Sequence, residues 1–361
     1  MTSESKNAES RHRLLLKALR VLALFAVFFL PVHAEASNSS TVFRLACFNV
    51  QNLFDLERRG TEYVEFVPDG VSGWNRKMLE LKHAHLGRVV ADLEADVLAL
   101  TEVESQKALA GFQAFLETKG VRYPFSAMVE PGRQAVGCAL LSVYPIISKK
   151  DLVVDSGRGR SILKVALKVE GRPFIVYVNH WPSRKNPESR RIRYARVLKK
   201  ELRTLNPGSD YVVAGDLNSD YDEFRTFAQN RELNDTRGET GINHVLGTVR
   251  NGRLVEIPML KSKTDGDLLY NLWLERPVDR RWSYIFFKRK ETLDHILVPE
   301  SLFDGRGIDY LGRSFNHFAP SYLFDGRRIN RWKMSGKKVK RHLGEGYSDH
   351  LPVYADFTVN K

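Results

Sequence analysis

The chain has 361 residues, is 43% hydrophobic, and carries 56 Lys and Arg against 43 Asp and Glu, a formal charge of +13. That apolar content can fill a sizeable core but is too low for a protein of many membrane spans. Two cysteines, Cys47 and Cys138, exclude a disulfide-built scaffold; both sit in apolar runs, where a buried free thiol is natural.

The first segment differs in kind from the rest. Lys6, Arg11, Arg13, Lys17 and Arg20 precede an apolar run over 21–30, Pro31 breaks it, and Val32-His33-Ala34 suits a signal peptidase. This order predicts a secretory signal over 1–34, cleaved after Ala34; the apolar run is about half the ~20 residues a membrane span needs. No twin-arginine pair precedes it, so general secretion is the expected route. The mature protein would be secreted or periplasmic, with no membrane span and no stable protein partner implied. Cleavage removes five cations and two acids, Glu4 and Glu9, so the remainder stays strongly basic. A basic surface favours polyanions: nucleic acid or another phosphate-ester substrate.

A polar linker over 35–41 leads into one domain, 42–361, without repeats or low-complexity tracts. Strand-like runs fall at 42–48, 96–100, 138–143, 162–169, 174–178, 211–214, 293–298 and 351–357. Leu79, Leu86, Val90 and Leu93 mark a helix over 75–93; Ile192, Ala195, Leu198, Leu202 and Leu205 mark another, stopped by Asn206-Pro207-Gly208. Strands and helices mixed in one long domain point to sheets packed on each other with helices outside.

Polar residues gather where these strands end. The segments are Phe48-Asn49-Val50-Gln51-Asn52, Thr101-Glu102-Val103-Glu104, Asn179-His180-Trp181, Gly215-Asp216-Leu217-Asn218, Leu293-Asp294-His295 and Tyr347-Ser348-Asp349-His350. A weaker seventh is Arg158-Gly159-Arg160, and Arg184 follows the third. The carboxylates and amides, with no cysteine beside them, make an oxygen donor set for Mg²⁺, with Mn²⁺ or Ca²⁺ as alternatives. Asp216 and Asn218, two apart, would share one face of a strand. His180 and His350 can donate to phosphate oxygens or a leaving group, and Arg160 or Arg184 can fork onto phosphate.

In this order the segments resemble the endonuclease/exonuclease/phosphatase superfamily, from Phe48 to Leu351. The resemblance implies an α/β (α+β) four-layer αββα sandwich: two packed mixed β-sheets flanked by helices. It implies a metal site at Asn49, Glu102 and Asp349. Asp216 would orient or deprotonate water, Asn218 would hold the phosphate, and His180 would stabilise the leaving side. His350 would contact the phosphate, with Asp294 orienting its ring. One departure is Gln51, where some relatives carry an acid; Glu130 is a candidate partner for His180.

The implied reaction is metal-dependent hydrolysis of a phosphate ester, foremost by a nuclease. The alternatives are a phosphomonoesterase or phospholipase-like diesterase, and a non-catalytic binding protein on the same fold. His295 is expected to pack, and His83, His85, His317 and His342 to lie in the core or on the surface. The basic-aromatic stretch 281–290 reads as a stacking surface for a single strand or as a β-hairpin with its aromatics in the core. The basic stretch 327–341 poses the same choice, and the arginines of 190–203 fit a solvated helix face.

Overall fold

The computed structural model describes residues 41–360 except 131, 228, 229, 231 and 263–266. The expected signal over 1–34 lies outside the described residues. The chain enters on β1 (Thr41–Leu53), crosses through α1 (Arg76–Leu93) and returns on β2 (Val97–Val103), parallel to β1. α2 (Gln106–Thr118) packs beside α1, and β3 (Phe125–Met128) and β4 (Gly137–Ser142) extend the sheet. An antiparallel run then builds β5 (Ile146–Leu152), β6 (Ile162–Val169) and β7 (Arg172–His180). α3 (Glu188–Leu202) carries the chain to β8 (Tyr211–Asp216), parallel to β7, so a second βαβ unit mirrors the first. The last part adds β9 (Tyr270–Asn271), a hairpin of β10 (Tyr284–Phe286) and β11 (Arg289–Glu291), and β12 (Asp294–Val298), β13 (Ile308–Tyr310) and β14 (Val353–Val359).

These strands form two mixed sheets, ordered β13-β14-β1-β2-β4-β3 and β9-β12-β8-β7-β6-β5, with Asn316–His317 also pairing to β14. Alternation along each strand fixes what faces what. Phe43, Leu45 and Cys47 of β1 meet Val176, Val178, Val212 and Ala214 of the other sheet between the layers. Ala46, Phe48 and Val50 point the opposite way, onto Leu86, Val90, Leu109 and Phe112 of α1 and α2. Tyr177 and Val213 face outward onto Ala195, Leu198 and Leu202 of α3. The result is the expected four-layer αββα sandwich, and each buried Leu or Phe contributes about 1.5–3 kcal/mol. Cys47 and Cys138 lie in the inter-sheet core as free thiols. Among the described residues no helix is long and apolar enough to cross a membrane.

α1 starts as the sequence predicts, Asn75 accepting the Met78 N–H as its cap. α3 ends earlier than predicted, at Leu202, so Leu205 packs from the turn beyond the helix rather than from it. α2 has no counterpart among the predicted helices; Ser105 caps it by accepting from Ala108, and Leu109, Phe112 and Leu116 bury its inner face. The stretch 281–290 does form a hairpin, but its tip is not in the core: Phe286 is 50% and Phe287 89% exposed. Its turn residues Phe287 and Lys288 hold φ of +44° and +72°, the pattern that Asn-Gly fills at least cost. For residues with a Cβ, that left-handed conformation costs about 1–2 kcal/mol each.

Candidate active site

The parallel strands end, and their antiparallel neighbours begin, along one rim of the sandwich, and the chemistry gathers there. His180 closes β7 and Asp216 closes β8, register partners across the parallel pair; Asp294 opens β12 opposite Asp216. Gly215 permits this convergence: its φ is +123°, and a Cβ there would collide with the backbone of Asn179. On the other sheet, register breaks between Asn49 and Leu53 of β1 and between Thr101 and Val103 of β2. Gln51, Asn52 and Glu102 take left-handed φ values of +49°, +66° and +66°, so these irregularities re-aim side chains at the rim.

Asn49 bridges the two sheets' acids. Its Nδ2 donates to Glu102 Oε1 at 3.2 Å and to Asp216 Oδ2 at 3.0 Å, while its Oδ1 accepts the Gln51 N–H. In this arrangement Asn49 orients the acids through its NH₂ rather than offering them its oxygen. Asn218 does not share a strand face with Asp216, as its spacing had suggested. It lies past the end of β8 at φ +48°, donates its N–H to Asp216 Oδ1 at 2.9 Å, and sends Nδ2 to Trp181 O at 3.1 Å. The two still meet, through a side-chain-closed turn instead of strand periodicity.

His350 is the most strongly held group. Its Nδ1 bonds Asp294 Oδ2 at 2.7 Å, and the same oxygen accepts the Ser283 hydroxyl at 2.6 Å. Burial opposes its charge, but Asp294 first, then Asp216 and Asp349, outweigh that and raise His350 to about 10. With Nδ1 occupied, Nε2 is the atom left to meet a substrate. The ring of Tyr284 covers one side of the imidazole, centroids 4.7 Å apart.

His180 is its opposite. Burial, then the charges of Arg160 and His350, hold it well below its ordinary value, so it is a neutral imidazole. Its Nε2 sits 3.7 Å from both Glu102 Oε1 and Asp216 Oδ2, and its buried Nδ1 has no hydrogen-bond partner among the described residues. Glu130 is not that partner; its side chain is 88% exposed and lies 3.9 Å from Lys149. Burial raises Asp216, with Asp294 and Glu102 adding to it and His350 opposing.

The two arginines separate. Arg160 is fixed at the rim by donating to the carbonyls of His180 and Trp181, at 3.1 and 2.8 Å, and pairs with no carboxylate among the described residues. Arg184 is instead claimed by Asp220 at 2.8 Å, Glu291 at 3.2 Å and Glu223 at 3.7 Å. Through these three carboxylates its guanidinium braces β11 to the core. His295 packs as expected, between Asn271 and the Ser219 carbonyl. His83 and His342 are buried, and His85 and His317 half-buried.

One site residue escaped the sequence reading. Lys82 of α1 is fully buried, its Nζ donating to the carbonyls of Gln51 at 2.9 Å and Tyr347 at 3.2 Å, with the Trp332 ring 5.0 Å away. It ties the irregular end of β1 to the loop carrying Asp349 and His350. Burial drags Lys82 down to about 7 although Asp349 and Glu102 pull it upward. The signal was there: Lys82 interrupts the apolar stripe Leu79, Leu86, Val90, Leu93 at an inward position. Gln51 makes the same tie, exchanging side-chain hydrogen bonds with the backbone of Trp332.

Among the described residues no cluster of His, Cys, Asp and Glu is already closed into a metal cage. The donors nonetheless suit a hard cation that keeps most of its waters. Glu102 is raised by burial and then by the charge of Asp349, and these two carboxylates would hold a divalent cation whose charge would offset that repulsion.

Residues 44–359 match the profile of the endonuclease/exonuclease/phosphatase family. The chain belongs to that family. The family's solved structures include TDP2 from Caenorhabditis elegans, 14% identical with a TM-score of 0.52, the match covering 88% of this chain and 75% of that one. D. rerio TDP2 complexed with single-strand DNA product gives 13% and 0.51, covering 88% and 99%. The human Nocturnin catalytic domain with bound sulfate gives 16% and 0.50, covering 89% and 98%. No curated protein matches by sequence. At these identities the neighbours establish the family's sandwich fold, and with the family match they support a phosphodiesterase- or nuclease-type hydrolase.

Proposed function

We propose that the protein is a divalent-metal-dependent nuclease that cuts phosphodiester bonds in DNA or RNA by in-line attack of water. The observation that carries this is the convergence of these groups on one rim: His350 clamped by Asp294 at 2.7 Å, Asp216 held by the Asn218 N–H at 2.9 Å, and His180 Nε2 3.7 Å from both Asp216 and Glu102. Asp216 orients the water and takes its proton, because its carboxylate is aimed by Asn49 and the Asn218 N–H. His350 donates from Nε2 to a phosphate oxygen, His180 steadies the leaving oxygen, and Arg160 supplies a fixed positive edge. Glu102 and Asp349 would hold Mg²⁺, which when bound neutralises charge on the phosphate oxygens. The single-strand DNA complex of D. rerio TDP2, a structural neighbour, and the basic composition both favour nucleic acid over a small ester.

The segment over 1–34 would deliver the enzyme outside the cytoplasm, where cysteines as buried as Cys47 and Cys138 stay reduced by inaccessibility. Replacing His350 or Asp216 with Ala should lower turnover of an oligonucleotide by 10³-fold or more, with binding measured by anisotropy changing little. Turnover within tenfold of the parent in either variant would refute the roles assigned.

A further inference from the structure

We infer that the hairpin Tyr284–Glu291 is a stacking platform for single-stranded nucleic acid, receiving the bases that flank the cleaved phosphate. This rests on the nuclease reading of the rim and adds to it where the strand lies. Strand alternation places Tyr284 and Phe286 on one face of the hairpin, and Tyr284 already packs on the His350 ring. Phe286 is therefore the next aromatic along the face that begins at the scissile site, and Phe287 follows at the turn, the two rings meeting edge to face at 4.6 Å. At ~3.3 Å of rise per residue Phe286 stands about 7 Å beyond Tyr284. Stacked nucleotides advance about 3.4 Å each, so that reach spans roughly two bases.

Charge follows the same path. Lys288 at the turn is exposed and meets no carboxylate among the described residues, and Arg289 stands opposite Phe286. The platform is held firmly from below. Glu291 binds Arg289 and also Arg184, which is anchored to Asp220 and Glu223, so the hairpin's inner end is locked to the core. The turn itself is chosen against folding ease: Phe287 and Lys288 occupy left-handed positions where Asn and Gly would be relaxed. Exposed aromatics beside cations are what single strands recognise without base preference.

The test replaces the tip with its relaxed turn, in Phe286→Thr/Phe287→Asn/Lys288→Gly, and compares it with the parent in Mg²⁺. The expected result is a melting temperature no lower than the parent's, a KM for a single-stranded 12-mer raised tenfold or more, and unchanged hydrolysis of bis(p-nitrophenyl) phosphate. An unchanged KM for the 12-mer would overturn the inference. So would loss of binding to phosphatidylserine vesicles with the 12-mer unaffected, because the tip would then be serving a lipid surface. If the parent itself hydrolyses neither substrate, the nuclease reading fails, and the platform assigned to it fails with it.

Discussion

In the proposed reaction the Asp294–His350 pair is the group that meets the phosphate, and its electrostatics give a direct pH prediction. Because His350 is raised above its ordinary 6.5, its bond to Asp294 stabilises the fold fully below pH 6.5, and that contribution is lost as pH climbs through about 10. The same titration should set the alkaline limb of turnover. Asp294→Asn keeps the hydrogen-bonding shape but removes the anion, so the alkaline limb should move to lower pH and turnover at neutral pH should fall about 10²- to 10⁴-fold. A pH–rate profile checks this, and a variant that keeps the parent's alkaline limb would show that Asp294 does not govern His350. His180, held well below its ordinary value by burial and then by the charges of Arg160 and His350, should not contribute a limb in the same range.

At the scale of elements, α1 is both a packing helix and a strut. Lys82 converts one position of its apolar stripe into a tie between the end of β1 and the loop before β14. Lys82→Met would fill the space but leave two buried carbonyls without a donor, at about 1–3 kcal/mol each. The expected outcome is a urea midpoint lowered by a stability loss of about 2–6 kcal/mol, with turnover reduced as Asp349 and His350 lose their support. Unchanged midpoint and turnover would mean that the two loops hold themselves. The main strands and the α1 and α3 helices were legible because alternation and helical spacing follow directly from which face is buried, as at Ala46, Phe48 and Val50 against Leu45 and Cys47. The site segments were legible as ordered polar interruptions of strand ends. Their geometry was not: left-handed Glu102 and Asn218 leave no mark in side-chain periodicity, and the amide of Asn49 is turned by a backbone N–H that only the folded bulge presents. The carboxylate partners of Arg184 were not legible either, because Asp220, Glu223 and Glu291 are scattered through the sequence and converge only in the fold.

For the whole molecule, two βαβ units facing each other across the inter-sheet core bring acids and histidines from both sheets to one rim, and the chain as a whole carries an excess of Lys and Arg that favours polyanions. Binding of a single strand should therefore weaken steeply with salt. With about three phosphates engaged, a fourfold rise in salt should cost roughly 20-fold in affinity, read from anisotropy titrations. A flat response would remove nucleic acid as the favoured substrate. The most direct measurement is hydrolysis by the protein lacking residues 1–34 of plasmid DNA, single-stranded RNA and a set of phosphomonoesters, each in Mg²⁺, Mn²⁺, Ca²⁺ or excess chelator. Nicking or chain cleavage that needs the metal, without phosphate release from the monoesters, is the predicted result. Phosphate release with nucleic acid left intact, or cleavage unaffected by chelator, would contradict the account.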